Sequence, residues 1–386
     1  MERIAPLSKG KTMTPNGILL LEFHPERHDL GKGKEMRDGL SVALQIGNTL
    51  WVANDETISL ERLSLVKEDG GGEYRYARDH KQFPLDDYLR LPVPRTGDPA
   101  ELQEVDIEGL AYDDGYLWLV GSHSLKRRKP EVKEGVRKAQ KQLARLCAEG
   151  NRYLLARIPV AESNGTFTLM KESVRKGNKQ CAAQLRAKGE RNDLMDVLME
   201  DEHLAPFLSI PGKDNGFDIE GLAVAGKRVF IGLRGPVLRG WAIILELALK
   251  EDKEDPAVLK LKRIGPDGRR YRKHFLNLGG LGIRDLCVQG DDLLILAGPT
   301  MDLDGPVTVF RWVDGTEPKG ESMLDTNDVK RVIDVPFGQG VDHAEGICLY
   351  SSDGGKAKSL LVVYDAACVS RQVGESSLAA DVFHLS

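Results

Sequence analysis

A short motif of apolar residues that begins with a charged residue recurs five times along the chain. The copies are Asp38–Val42, Glu108–Tyr112, Glu220–Val224, Arg284–Val288 and Glu345–Leu349. After a turn rich in Gly or Asp, each is followed by a second apolar run: Leu50–Val52, Leu117–Leu119, Val229–Ile231, Leu293–Ile295 and Leu360–Val362. In the three middle copies the second run starts nine residues after the charged residue, the length of a strand, a tight turn and the start of another strand. The pattern predicts a β-hairpin as the repeated unit.

The spacing of these hairpins predicts a β-propeller. The copies recur after 70, 112, 64 and 61 residues, which exceeds the roughly 40 to 50 residues of a typical blade but suits four strands with loops. The fourth residue of every copy is small, as expected where inner strands crowd around an axis. We expect five blades, or six if one blade lacks the motif.

The two ends of the chain predict how the ring closes. Residues 17–23 have the pattern of a strand without a hairpin partner, and residues 380–385 form an apolar run after the last hairpin. If both strands join one blade, no sheet edge is left exposed. We therefore predict an all-β fold in which residues 1–386 form a single propeller domain.

Two stretches between the second and third hairpins have helical rather than strand patterns. Residues 130–148 place five apolar side chains on one face of a helix: Val132, Val136, Ala139, Leu143 and Leu146. Residues 180–187 and 192–202 resemble two shorter helices. We predict helical insertions at 126–150 and 176–205 on one face of the propeller. They would form a lid over a small molecule or serve a decorative or oligomer-forming role.

Charge is nearly balanced over the chain but not within the first insertion. The whole sequence has a formal net charge of −5, which gives no indication of a polyanion or a membrane surface as a partner. Residues 122–150 carry nine basic and three acidic residues, a net charge of +6. An anionic partner is one interpretation, and a solvated helix face is the other. No aromatic residue lies between these charges, so we do not expect stacking of single-stranded nucleic acid. Binding of duplex nucleic acid through residues 126–145 is a separate hypothesis, and it predicts a steep dependence on salt.

Targeting signals and cysteines bear on the cellular compartment. The first residues lack the apolar stretch of a secretory signal, and no apolar run is long enough to cross a bilayer. We expect a cytoplasmic protein without a membrane partner. The five cysteines include no CxxC pair, which suits reduced thiols that fill space in the core.

Acidic residues at equivalent places in the repeat are expected to converge at one mouth of the central channel. Their oxygen ligands suit Ca²⁺ or Mg²⁺. The predicted metal ligands are Asp106, Glu108, Asp218, Glu220 and Glu345. The alternative is that each Glu accepts backbone N–H bonds from the adjacent blade and thereby holds the ring together.

Further polar side chains lie at or near the same mouth. Arg234 and Arg284 are expected to clamp a phosphate or carboxylate group. The remaining candidates are Lys126 and Asn54 for substrate binding, and His123 and His343 for proton transfer near neutral pH. The sequence contains none of the signatures GxxxxGK[ST], HExxH or GxSxG between strand and helix.

The residues 106–111 (DIEGLA) and 218–223 (DIEGLA), with GLRGP at 232–236 downstream, resemble the DUF3616 family. The resemblance covers most of the chain and implies a fold rather than an activity. The Glu-Gly-Leu-Ala motif is also similar to that of phytase-like and SdiA-regulated propellers, some of which have phosphatase or esterase associations and bound calcium. In the fourth copy Arg284-Asp285 replaces Glu-Gly, which favours an asymmetric anion site over a symmetric metal ring.

Besides duplex nucleic acid binding, two classes of function stay open. The first is a small-molecule site that supports metal-assisted hydrolysis of a phosphorylated or ester substrate. The second is a propeller without catalytic activity that binds a protein partner or a regulatory anionic ligand.

Overall fold

Four-stranded sheets, set side by side, make up most of the chain that the computed structural model describes. The described residues are 13–31, 33–66, 74–94, 103–188, 191–301, 303–352 and 356–385. Each four-stranded unit contains one of the predicted hairpins, which supplies its first two strands. We number these sheets as blades 1 to 5 in the order of their hairpins.

The strands of a blade follow one another from the centre of the molecule to its periphery. The inner strands are Leu40–Ile46, Ile107–Asp113, Asp218–Ala225, Gly282–Gln289 and His343–Tyr350. The second strands are Thr49–Asn54, Tyr116–Gly121, Arg228–Leu238, Asp292–Gly298 and Ser359–Asp365. The third strands are Ser59–Val66, Leu155–Ser163, Trp241–Leu247, Val307–Trp312 and Ser377–His384. The fourth strands are Tyr74–Pro84, Ala183–Leu185, Tyr271–Asn277, Val329–Val335 and Gly17–Glu22.

The inner strands stand around a common axis. Each contacts the inner strands of the two adjacent blades, and the inner strand of blade 5 contacts that of blade 1. Apolar clusters fill the spaces between blades, where large side chains such as Trp51, Phe230 and Phe383 are completely buried. The chain is therefore an all-β propeller, as the hairpin pattern predicted.

The chain ends close the ring as predicted. The strand Gly17–Glu22 pairs antiparallel with Ser377–His384 and so completes blade 5. The same strand also pairs in parallel with the fourth strand of blade 1, where Leu21 lies opposite Ala77. Blades 5 and 1 consequently share one continuous sheet, and the N-terminal strand has no free edge.

Blades 2 and 3 carry extra strands at their periphery. Thr166–Leu169 pairs with the third strand of blade 2, and Val258–Leu261 pairs with its fourth strand and with Leu249–Glu251. Ser322–Leu324 adds to the fourth strand of blade 3. Shorter paired segments lie in the loops: Asp29–Gly31 with Lys34–Glu35, Glu172–Arg175 with Asn178–Cys181, Ala187–Lys188 with Arg191–Asn192, and Gln372–Val373 with blade 5.

The first predicted insertion, residues 126–150, is a hairpin with a helix near its tip. Lys126–Arg127 pairs with Leu146–Cys147, and helix α2 spans Val136–Ala144 between them; the one-turn helix α1 is Pro25–His28. Of the predicted apolar face only Ala139 is buried. The other members of that face are 72, 68, 45 and 43 % exposed: Val132, Val136, Leu143 and Leu146.

The second predicted insertion, residues 176–205, is helical only in part, and the predicted helix over 180–187 is wrong. Ala183–Leu185 forms the fourth strand of blade 2 instead. A short apolar run is compatible with a helix or with a strand. Here the third strand of blade 2 offers an edge for pairing, and residues 183–185 pair with it as a strand. Asp193–Leu198 does form a helix, α3, with a buried apolar face. No helix within the described ranges is long and apolar enough to cross a bilayer.

Candidate functional site

Every inner strand contains a β-bulge at the same distance from its hairpin turn. The bulged residue stands five positions before the last residue of the strand and lacks a direct partner on the second strand. A bulge turns its side chain out of the regular alternation. The five bulged residues, which we call the bulge ring, are Ser41, Glu108, Glu220, Arg284 and Glu345.

The bulge ring corrects the sequence alignment of the first copy. Asp38 precedes the inner strand of blade 1 and ends a single 3-10 turn, so it is not equivalent to Glu108. The second apolar run starts twelve residues after Asp38, not nine, which is the sequence signal for a shift of three. At the equivalent position, Ser41 donates from its hydroxyl to the carbonyl oxygen of Ile107, 2.6 Å away. This position therefore links blades 1 and 2 and adds no charge.

Glycine follows the bulge in blades 2, 3 and 5 because neighbouring inner strands touch there. A Cβ on Gly109 would lie 2.5 Å from Leu222 Cβ and 2.8 Å from its backbone nitrogen. A Cβ on Gly346 would lie 2.8 Å from Val42 Cα. Real Cβ atoms do not approach so closely, so glycine permits the ring to close at these points.

Two arginines neutralise the acidic groups of blades 3, 4 and 5. Arg234 pairs with Asp218, and its Nη1 lies 2.5 Å from Glu220 Oε1. Arg284 Nη1 lies 2.7 Å from Glu345 Oε1 and 3.4 Å from Glu220 Oε2. The structure thus brings the predicted anion-binding arginines together with three predicted metal ligands, and their charges offset one another, although Glu220 Oε2 and Arg234 Nε are buried without a hydrogen-bond partner among the described residues.

A third arginine occupies the mouth beside blade 2. Arg152 Nη1 lies 2.8 Å from Asp106 Oδ2, and its Nη2 lies 2.7 Å from Glu104 Oε1. Lys126 also pairs with Glu104, so this lysine belongs to an ion-pair network and is not a free substrate ligand. Arg152 lies in the turn Gly150–Tyr153 at the end of the first insertion. No repeated motif marks it in the sequence, and sequence reasoning missed it.

The mouth has an acidic side that no arginine neutralises. Glu108 and Asp55 are half-buried, and neither side chain has a hydrogen bond or ion pair with any residue that the structure describes. Glu108 is electrostatically coupled to Asp55, Asp106, Glu220 and Glu345. The carboxyl groups from separate blades therefore meet near the axis, as the repeat predicted.

This crowding shifts the pKa values of the carboxyl groups. Burial raises the pKa of Glu108 well above its usual value, and the neighbouring carboxylates raise it further. Burial and the charges of Asp106, Asp365 and Glu345 do the same for Asp55. Burial raises the pKa of Glu220 to about 7, although Arg234 and Arg284 oppose the shift.

The arrangement does not fit a preformed divalent metal site. Within the described part of the chain, no three Asp, Glu, His or Cys side chains converge closely enough to hold an ion. Four of the five predicted ligands pair with Arg152, Arg234 or Arg284, which supply the positive charge that a cation would bring. The fifth predicted ligand, Glu108, has no ion pair with any arginine that the structure describes.

Neither His123 nor Asn54 faces the mouth. His123 is 1 % exposed, and its ring nitrogens lie 2.8 Å from the oxygen of Gly121 and 2.7 Å from Asn192 Nδ2. Burial lowers its pKa to about 4. Asn54 donates to the carbonyl oxygen of Met36 and accepts from the backbone of Glu56. Both side chains stabilise local structure, and the roles predicted for them are not supported.

His343 does lie at the rim. Its Nε2 is 3.2 Å from Asp304 Oδ1, and its side chain is 26 % exposed. His343 and Arg284 line the same small pocket beside the mouth. Of the two predicted histidines, this one is close to the bulge ring.

A loop rather than a helix covers part of the mouth. Gly212, in the segment Pro211–Gly216, packs so closely on Asp218 that a Cβ would lie 2.3 Å from Oδ2. Arg127 of the first insertion pairs with Asp214 of this loop at 2.8 Å. Burial raises the pKa of Asp365 and of Glu345, and Lys213 is close enough to oppose that shift. Sequence reasoning missed this lysine because its loop has no repeat pattern.

Comparison with solved structures finds distant likenesses, two of which follow. Myxococcus xanthus glutaminyl cyclase is 10 % identical with a TM-score of 0.35, over 97 % of this chain and 100 % of that chain. The PQQ-bound aldose sugar dehydrogenase from Streptomyces coelicolor is also 10 % identical with a TM-score of 0.35, over 96 % and 100 %. We draw nothing about function from likenesses at this level. No curated protein matches the sequence.

The amino-acid sequence identifies the protein family more firmly than the structural likenesses do. A family model with the description "Protein of unknown function (DUF3616)" matches residues 39–381. The match covers all five hairpins and both insertions, and it agrees with the resemblance carried by the two DIEGLA segments. The chain therefore belongs to the DUF3616 family.

Proposed function

We propose that the mouth of the propeller is a small-molecule site at which carboxyl groups carry out acid–base hydrolysis of an ester. The observation that supports this most directly is Glu108. It is a half-buried carboxyl group with no bonding partner in the described chain and other carboxyl groups around it. A carboxyl group whose pKa is raised well above its usual value is suited to protonate a leaving group.

Glu108 and Asp55 would act as acid and base. Two neighbouring carboxyl groups share one proton more readily than both ionise. The ionised member takes a proton from the water whose oxygen attacks the ester carbonyl carbon. The protonated member gives its proton to the departing alkoxide as the C–O bond breaks. The products are a carboxylic acid and an alcohol, and the pair again holds one proton.

An uncharged or cationic ester fits this mouth better than a phosphoester. Arg234 and Arg284 both pair with carboxylates. A phosphate group would have to displace those carboxylates to bind the arginines. It would also approach the carboxyl groups of Glu108 and Asp55, which repel an anion. An ester carbonyl oxygen needs only Arg284 as a partner, because a guanidinium N–H also donates to a neutral acceptor.

Hydrolysis assays test the proposal. The probes are p-nitrophenyl acetate and p-nitrophenyl phosphate, with the wild type, Glu108→Gln and Glu317→Gln compared. Glu317 is an exposed residue of blade 4 without an ion pair among the residues described, so it serves as the matched control. We expect acetate hydrolysis with a loss of about 100-fold or more in kcat/KM for Glu108→Gln, and no loss for Glu317→Gln. Equal rates for the wild type and Glu108→Gln would refute the proposal.

A second candidate function, protein binding, is favoured by the exposed face of the first insertion. Val132, Val136, Leu143 and Leu146 present apolar surface to solvent on a segment with net charge +6. Six basic residues of the segment form no ion pair within the described chain: Arg128, Lys129, Lys133, Arg137, Lys141 and Arg145. An apolar stripe framed by free cations suits an acidic amphipathic segment of another protein.

Peptide titration tests this second candidate. The probe is a synthetic helical peptide with Leu on one face and Glu on the other. We expect binding to the wild type that weakens as salt is added, and that is lost in the double variant Val136→Ser and Leu143→Ser. Val174→Ser is the control, because Val174 is 75 % exposed but lies outside this segment. If the double variant binds the peptide as tightly as the Val174→Ser control does, this function is contradicted.

A further inference from the structure

A basic groove lies at the periphery of the propeller, away from the mouth. It has a volume of about 480 Å³ and is bounded by α1 (Pro25–His28), the outer strands of blade 1 and Thr168 of blade 2. Arg27, Arg62 and Lys81 line it together with the rings of Phe83 and Tyr88. We call it the Arg62 groove.

Arg62 is held in place with part of its donor edge unused. Its residue is only 4 % exposed, and Nη1 donates to the carbonyl oxygen of Phe167 at 2.7 Å. The guanidinium carbon lies 5.5 Å from the centre of the Phe83 ring. Nε is buried and has no hydrogen-bond partner within the described chain. A buried donor without a partner is costly, and a ligand that accepts from it would remove that cost.

Arg62 lies beside other basic side chains, and the carboxylate of Asp79 is close enough to interact with its charge. Lys81 lies directly opposite Arg62 in the antiparallel pair of outer strands, and like charges at such positions are destabilising. Arg27 approaches the same groove through a 3.5 Å contact from Nη1 to the carbonyl oxygen of His80. Neither Lys81 nor Arg27 has an ion pair in the part of the chain that the structure describes, and Asp87 is the single acidic residue that lines the groove.

The neighbouring glutamate does not relieve this excess of positive charge. Glu61 is completely buried, and its carboxylate accepts from Ser59 and Gln82 and contacts His80 Nε2 at 2.6 Å. Its oxygens are therefore committed to another network on the opposite face of the strand. Three basic side chains therefore line the groove, of which Arg62 is buried and Lys81 is exposed.

We propose that the Arg62 groove binds a small organic carboxylate with a flat apolar portion. A carboxylate matches the planar donor edge of a guanidinium and would bring Arg62 and Lys81 together without repulsion. Phe83 and Tyr88 provide apolar surface for the rest of such a molecule. This site is independent of the ester hydrolysis proposed at the mouth.

Calorimetric titration with benzoate tests the groove, with inorganic phosphate as a second probe. We expect saturable benzoate binding to the wild type, at least tenfold weaker binding to Lys81→Gln, and no detectable binding to Arg62→Gln. Lys330→Gln, which removes an exposed lysine from the fourth strand of blade 4, should bind like the wild type. Lys81 is exposed, so its substitution is expected to leave the fold intact even if Arg62→Gln does not.

Two results would overturn the proposal. The first is unchanged benzoate affinity in Lys81→Gln and in Arg62→Gln. The second is the absence of saturation by benzoate at 50 mM or so, a concentration well above typical weak affinities of about 1 mM. Phosphate binding in place of benzoate, with the same dependence on Arg62 and Lys81, would overturn the choice of a flat carboxylate.

Discussion

Asp285 of blade 4 binds the backbone of Ile347 in blade 5. Its Oδ2 accepts from the Ile347 nitrogen at 2.8 Å, and its Oδ1 accepts from Leu286 at 2.7 Å. Asp285 follows the bulged Arg284 and stands at the position that glycine occupies in blades 2, 3 and 5. In those blades the missing side chain lets neighbouring strands touch, whereas in blade 4 a carboxylate spans the gap. The role that the sequence offered as the alternative for the bulged glutamates, locking the ring, belongs here to Asp285.

We predict that Asp285→Ala destabilises the propeller. The substitution leaves two buried backbone N–H groups without an acceptor, which costs about 1–3 kcal/mol for each group. Urea unfolding should show a lower free energy of unfolding by about 2 kcal/mol or more. Asp291→Ala, at an exposed turn of the same blade, is the control and should change it by less than about 0.5 kcal/mol. Equal stability of the two variants would contradict the role of Asp285.

Gly109→Ala is expected to strain the contact between blades 2 and 3. The added Cβ would meet Leu222 at 2.5 Å, so the inner strands would have to separate. Overpacking of this kind costs about 1–3 kcal/mol. Thermal unfolding measures the loss. Gly320→Ala is the matched control because nothing lies within 4 Å of its Cβ position, and no fall in melting temperature beyond that control would disprove the close approach.

The stability of the wild type is expected to fall as pH rises from about 4.5 to 7. Burial raises the pKa of Glu220 from 4.5 to about 7 in the folded protein, so the folded state binds more protons than the unfolded state in this window. The contribution of Glu220 to the free energy of unfolding then decreases with pH and levels off above pH 7.

Glu220→Gln should remove part of this slope, on the order of 2 kcal/mol between pH 5 and 8. Urea unfolding at several pH values measures it. Glu317→Gln should keep the slope of the wild type. A slope in Glu220→Gln as steep as that of the wild type would show that Glu220 does not titrate in this range.

Calorimetry with Ca²⁺ and Mg²⁺ distinguishes arginine from metal as the source of positive charge at the mouth. We expect no saturable binding by the wild type at millimolar metal, because Arg152, Arg234 and Arg284 already pair with the carboxylates. Saturable binding that disappears in Glu108→Gln would instead support the metal-assisted mechanism that the sequence suggested.

The candidate site was predictable in its location and only partly in its chemistry. Equivalent bulges place Glu108, Glu220 and Glu345 near one axis, so position in the repeat was a reliable guide. The partners were not predictable, since Arg152 and Lys213 come from loops without a repeat. His123 was a candidate for proton transfer because it follows a second strand, but its side chain is buried and not exposed at the mouth.

The sequence by itself determined the hairpin repeat, the propeller and its closure by the two chain ends. These follow from local alternation of apolar residues and from turn composition, which act over a few neighbouring positions. Only the tertiary structure decided that Ser41 and not Asp38 joins the bulge ring, that Ala183–Leu185 is a strand, and that arginines neutralise the acidic mouth. Those outcomes depend on strand register and on side chains far apart in the chain, where an unpaired sheet edge or a buried charge selects its partner in space.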